Sequence, residues 1–217
     1  MNQATRAIVS TICIILALAG LDHGIFELLQ GSAATDGILI QAIGDSHQMW
    51  HYGTEEAFTL LPTFFLTGLT AVTLSLLLIV WSLGFLHTRY GSLVLGLLFI
   101  GLFLFGGGIA AQVMFAPFVW AAARHINRPL DWWRKILPEG IRSRLAKLWP
   151  ITLTLGTLSF LTGLFIAITG YFPGQSGPEI ILNICWAFIF IGGLGLYLLS
   201  FVSGVAADIQ NNAQGIP

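Results

Sequence analysis

Polar and apolar positions in this chain segregate by whole segments rather than alternating residue by residue. Five apolar runs stand out: Ala7 to Leu21, Ala57 to Leu86, Ser92 to Ala123, Ile151 to Phe172 and Ile180 to Ala207. A helix that crosses a bilayer needs about 20 mostly apolar residues. The first run reaches that length only if it continues past Ala17-Leu18-Ala19-Gly20, a stretch that would also fit signal-peptide cleavage. The apolar pattern does continue, through Leu21, Ile25, Phe26, Leu28 and Leu29. An uncut helix over 5–29 is therefore expected, and a second over 57–86.

The third run is too long for one ordinary crossing. Its 32 residues would make about 48 Å of helix at 1.5 Å per residue, against an apolar bilayer core of about 30 Å. Gly106-Gly107-Gly108 lies at its centre, and each glycine weakens a helix by about 1 kcal/mol relative to Ala. The run is either one long tilted helix or a hairpin of two short ones.

Charge separates these readings. Only 9% of the 217 residues are charged, and seven of the nine Lys and Arg lie within 124–147: Arg124, Arg128, Arg134, Lys135, Arg142, Arg144 and Lys147. The positive-inside rule places that segment, Arg6 and Arg89 in the cytoplasm and the cation-free 30–54 loop outside. Only a hairpin returns the seven cations to the inner side. The expected fold is thus all-α: a single polytopic membrane domain with about six crossings, over 5–29, 57–86, 92–105, 109–123, 151–172 and 180–207. Five crossings is the alternative.

Residues 124–149 are expected at the inner interface of a cell membrane. Ile141, Leu145, Leu148 and Trp149 share a helical face that Arg142, Arg144 and Lys147 avoid, as in a helix lying on a bilayer surface. Trp81, Trp120, Trp132, Trp133 and Trp149 fall at the same boundary, where an aromatic belt belongs. Anionic lipid is the expected partner of this patch. A basic patch committed to a membrane argues against nucleic acid. The two cysteines, Cys13 and Cys185, both sit in apolar runs, so no disulfide framework is expected.

Chemistry concentrates on the outer side. His23 and Glu27 are four apart, as are His51 and Glu55 at the far end of the loop, a spacing that places each pair on one helical face. Imidazole and carboxylate suit zinc, iron or manganese, and carboxylates also serve proton relays. The leading expectation is an outer His/Glu site for a divalent metal or protons. His23, Glu27, His51 and Glu55 would be its ligands, with Asp22 and Glu56 in support. The bland alternative has Glu55 and Glu56 capping the second helix and His23 bonding to backbone.

A polar stripe, Glu56, Thr59, Thr63, Thr67 and Thr70, would run down the second helix, and Thr152, Ser159, Thr162 and Thr169 echo it in the fifth crossing. Thr59 and Thr63 could line a proton path or a small channel or carrier. Hydroxylated faces also suit close helix packing, which points instead to an accessory or assembly subunit, or a homo-oligomer. Pro62 and Pro117 are expected to kink their helices. No nucleotide loop, dithiol or hydrolase motif is present, so enzymatic activity stays open.

The segments His23-Gly24-x-x-Glu27-x-x-Gln30-Gly31 and Glu56-Ala57-x-Thr59-x-x-Pro62 resemble a pattern in small uncharacterised prokaryotic multi-pass membrane proteins. The resemblance covers roughly residues 20–110 and implies a membrane location without an assigned activity.

Overall fold

In the computed structural model, which describes residues 1–214, four helices are long and apolar enough to cross a membrane: Gln3–Leu29, Phe64–Gly84, Trp149–Thr169 and Pro178–Ala213. This is the pattern of a multi-pass helical membrane protein. Two shorter apolar helical stretches, Gly91–Leu104 and Ile109–Ala123, lie between them in sequence.

The chain begins with α1 (Gln3–Leu29), followed by a long connection that carries the strands β1 (Leu39–Gln41) and β2 (Glu56–Phe58). These pair antiparallel, Ile40 opposite Ala57. Next come α2 (Phe64–Gly84), α3 (Gly91–Leu104), α4 (Ile109–Met114) and α5 (Ala116–Ala123). Two short helices, α6 (Asp131–Ile136) and α7 (Glu139–Leu145), lead to α8 (Trp149–Thr169). The last helical rod is α9 (Pro178–Trp186), a π-helical stretch over Ala187–Gly195, and α10 (Leu196–Gln214).

α1 is the central helix. Of its most apolar stretch 61% is buried, against 28% for Phe64–Gly84 and 33% for Trp149–Thr169. Small residues let neighbours approach it. A Cβ on Gly68 of α2 would lie 2.5 Å from the carbonyl oxygen of Gly24, so the two backbones touch as small residues allow in membranes. The other helices turn Leu69, Leu76, Val80, Leu97 and Leu158 outward, as lipid contact requires.

One end of the bundle is tied together by polar contacts. Asp208, 2% exposed, accepts the Ala4 and Thr5 backbone N–H groups at 2.9 Å each and the Thr5 hydroxyl at 2.7 Å. A carboxylate thus caps the first turn of α1 from 203 residues away, satisfying donors that a helix start leaves free. Asn2 donates to the carbonyls of His125 and Arg128. Asn127 donates to the His87 carbonyl at 2.7 Å, and Gly96 packs on the Trp120 indole. The end of α5 has therefore come back to the start of α3, the reversal lying at residues 105–108.

Several expectations need correction. The second helix starts at Phe64, not at 57, because residues 56–58 are strand β2. Glu55 and Glu56 therefore do not cap this helix; Thr63 does, its hydroxyl accepting the Leu66 N–H. Pro62 precedes the helix instead of kinking it, and the connection after α1 extends to residue 63. Pro117 stands in the first turn of α5, where a missing N–H costs nothing. Segment 124–149 holds two short helices, α6 and α7. The last helix extends beyond 207 to Gln214.

Candidate functional site

The C-terminal part of α1, the connection that follows it and the glycine turn meet at one place. His23 Nε2 lies 3.1 Å from Glu55 Oε2, so the imidazole N–H donates to the carboxylate. Glu55 Oε1 accepts the Ala110 N–H at 3.0 Å, which anchors the loop to the first turn of α4. Burial raises the affinity of Glu55 for a proton, but the His23 ring and the Ala110 N–H outweigh it, holding this carboxyl below its ordinary value.

Glu27 lies one turn further along α1 and is wholly buried. Neither of its carboxylate oxygens has a hydrogen-bond partner. It faces the glycine turn, where a Cβ on Gly106 would come 2.5 Å from Oε2. A Cβ on Gly108 would likewise come 2.8 Å from His23 Cε1. Both glycines have positive φ, +96° and +86°, where a side chain is strained. The glycine run thus reverses the chain and also lets bare backbone close over an imidazole and a carboxyl.

Other buried polar atoms around this turn are unpartnered: His23 Nδ1, Ser75 Oγ and Gln112 Oε1. Gln112 Nε2 donates to the Gly107 carbonyl at 3.2 Å, and Ser75 Oγ is the nearest atom to a Cβ built on Gly20. Buried polar groups in folded proteins are nearly all satisfied, so four such side chains around one turn mark an unusual place.

The remaining motif positions have structural explanations. Gln30 Nε2 donates to the Gln41 and Ala42 carbonyls at 3.2 and 2.9 Å, clamping the loop to α1. Gly31, at φ +68°, ends the helix in the conformation glycine favours there.

His23 and Glu55 are brought together, but the four expected ligands are not. Residues 50–52 form a turn, so His51 and Glu55 share no helical face. His51 is exposed and packs edge-on against Tyr52, ring centroids 4.8 Å apart. Glu56 is exposed on β2, and Asp22 is half-buried beside His23 in a cavity of about 230 Å³. Among the described residues, no three His, Cys, Asp or Glu side chains are grouped to hold a metal ion.

The threonine stripe is interrupted for the same reason that α2 starts late. Thr67 donates to the Thr63 carbonyl and Thr59 to the Thr67 hydroxyl at 2.9 Å, while Leu61 N–H donates to Thr59. This closed chain runs between backbone groups and bypasses Glu27. On α8 the hydroxyls of Thr152, Thr162 and Thr169 donate to carbonyls of their own helix.

Sequence reasoning passed over Thr54, Asp208 and the role of Gln30. Thr54 sits beside Glu55 with its hydroxyl buried and unpartnered, a position that only the folded loop reveals. No family model, no curated protein and no solved structure matches this chain.

Proposed function

We propose that this chain is a multi-pass cell-membrane protein whose buried His23 and Glu27 and half-buried Glu55 exchange protons at its outer end. One observation carries the reading: Glu27 is fully buried with both carboxylate oxygens unpartnered, one turn from an imidazole already paired with a second carboxylate. A carboxylate in such a place is tolerable only with a proton or a cation beside it. The described donors do not group for a metal ion, which favours the proton. Ionisable groups within membrane helices usually face a cavity or partner and serve transport or relay.

Infrared difference spectroscopy across a pH titration tests this. The wild type should show a carboxylic-acid carbonyl band that responds to pH, and Glu27→Gln should abolish it. A wild type without such a band, or a variant that keeps it, would overturn the proposal.

The same reading takes α3 and α4–α5 as a membrane hairpin, giving six crossings. Its support is the contact of Asn127 with His87 and of Trp120 with Gly96, together with the gathering of all nine Lys and Arg toward one side. A reporter fused after Arg142 should then be cytoplasmic; an external signal would leave five crossings.

A further inference from the structure

Beside the His23–Glu55 pair lies a cavity of about 340 Å³, within the range of small-molecule sites. Its walls are largely apolar and aromatic, including Phe115, Phe160, Trp186 and Phe190. Glu55, Thr54 and His51 form a polar end. Met114 and Trp186 line it while 40% and 47% exposed, so it opens onto the lipid-facing surface.

We propose that this cavity binds a lipophilic organic cation, with the positive charge beside Glu55 and the apolar body among the aromatic rings. The proposal goes beyond proton exchange at Glu27 and does not require it.

Three independent observations point to that chemistry. The first is charge. This end of the molecule carries Asp22, Glu27, Asp36, Asp45, Glu55, Glu56 and Glu179, whereas Arg6, Arg89 and the seven cations of 124–147 belong to the opposite end or its flanking loops. Such a distribution attracts cations and repels anions. The groups facing Glu55 are His23 and Asp22 from α1, the Ala110 N–H from α4, His51 from its own loop and Cys185 from α9. The Cys185 thiol is engaged with the Gly163 carbonyl; His23 and His51 carry positive charge only when protonated, and none of the other groups is a cation. Each Glu55 oxygen also keeps a lone pair after its single hydrogen bond.

The second is the wall. Trp186 and Phe190 are stacked with centroids 5.1 Å apart, offering ring faces that bind organic cations well when water is excluded. The third is the backbone. Ile189 and Phe190 belong to the π-helical stretch, and π turns within helices are frequent at functional sites. Ser159 donates to the Phe188 carbonyl at 2.9 Å, holding that stretch in place. Thr54, with its hydroxyl buried and unpartnered at the polar end, supplies a spare hydrogen-bonding group.

Equilibrium dialysis of the purified full-length protein in mild detergent, with tetraphenylphosphonium and its anionic counterpart tetraphenylborate as probes, tests the proposal. The two have nearly the same shape and lipophilicity, so micelle partitioning affects both. Saturable binding of the phosphonium at one site is expected, with the borate bound at least about tenfold more weakly. Glu55→Gln should weaken the phosphonium about tenfold and Trp186→Ala severalfold, while Glu56→Gln, on the exposed strand, should leave binding unchanged. Equal binding of both ions, or a folded Glu55→Gln that binds like wild type, would overturn it. If Glu55→Gln fails to fold, the charge contrast and Trp186→Ala decide. The Glu27 infrared band is read without probe, so its absence alongside intact phosphonium binding refutes proton exchange only.

Discussion

Gly106→Ala should lower thermal stability sharply and distort the site at the same time. Gly106 has φ +96°, and an added Cβ would stand 2.5 Å from both Glu27 Oε2 and Thr67 Cγ2. A left-handed backbone costs an L-residue about 1–2 kcal/mol, and overpacking a tight interior costs about 1–3 kcal/mol more. The expected destabilisation is therefore about 2–5 kcal/mol. Relief would come from pushing the turn away from α1, which would also pull at the Gly106 N–H bond to the Phe58 carbonyl and so at β2. Unfolding in detergent, followed by tryptophan fluorescence, measures the effect. Gly84→Ala is the control, because a Cβ there meets nothing within 4 Å. A Gly106→Ala protein as stable as the control would mean that the carboxyl does not abut the turn.

The second large effect is expected at the opposite end. Asp208→Ala removes one carboxylate that accepts three hydrogen bonds, from the Ala4 and Thr5 N–H groups and the Thr5 hydroxyl. Helix caps are worth about 0.5–2 kcal/mol, and buried donors left unpaired cost about 1–3 kcal/mol. A loss of about 2–4 kcal/mol is expected. Asp208→Asn, which keeps one acceptor oxygen but not the charge, should recover part of it. The loss should also free the start of α1 from α10, raising hydrogen exchange in the first turn of α1. Equal stability of wild type and Asp208→Ala would show that the first turn is capped by other means.

The physical contrast between these two positions bears on what could be read in advance. The glycine run was visible as a break because glycine is a poor helix former, and the structure does break there. Its second role was not visible, since nothing local says that Glu27 and His23 will lie against it. Asp208 was harder still, being assigned to no role. It is a lone carboxylate near a polar tail, and its partners are 203 residues away. The start of α2 was misplaced by seven residues because Ala57, Phe58, Leu60 and Leu61 continue the apolar pattern of the helix. Pairing with β1 and the proline at 62 override that pattern locally.

Composition, run length and the clustering of cations determine by themselves that this is a multi-pass helical membrane protein. They also show that most of its carboxylates gather at the cation-free end, for a simple reason. Apolar runs and charge asymmetry are summed over many residues, so each reports the bilayer environment without any knowledge of contacts. Only the tertiary structure decides which ionisable groups meet. Two His-x-x-x-Glu spacings gave two candidate faces, but the chain joins His23 to Glu55 across a loop, turns His51 outward and buries Glu27 without a partner. Those outcomes depend on where a strand pair and a glycine turn settle against α1, and no spacing along the sequence encodes that.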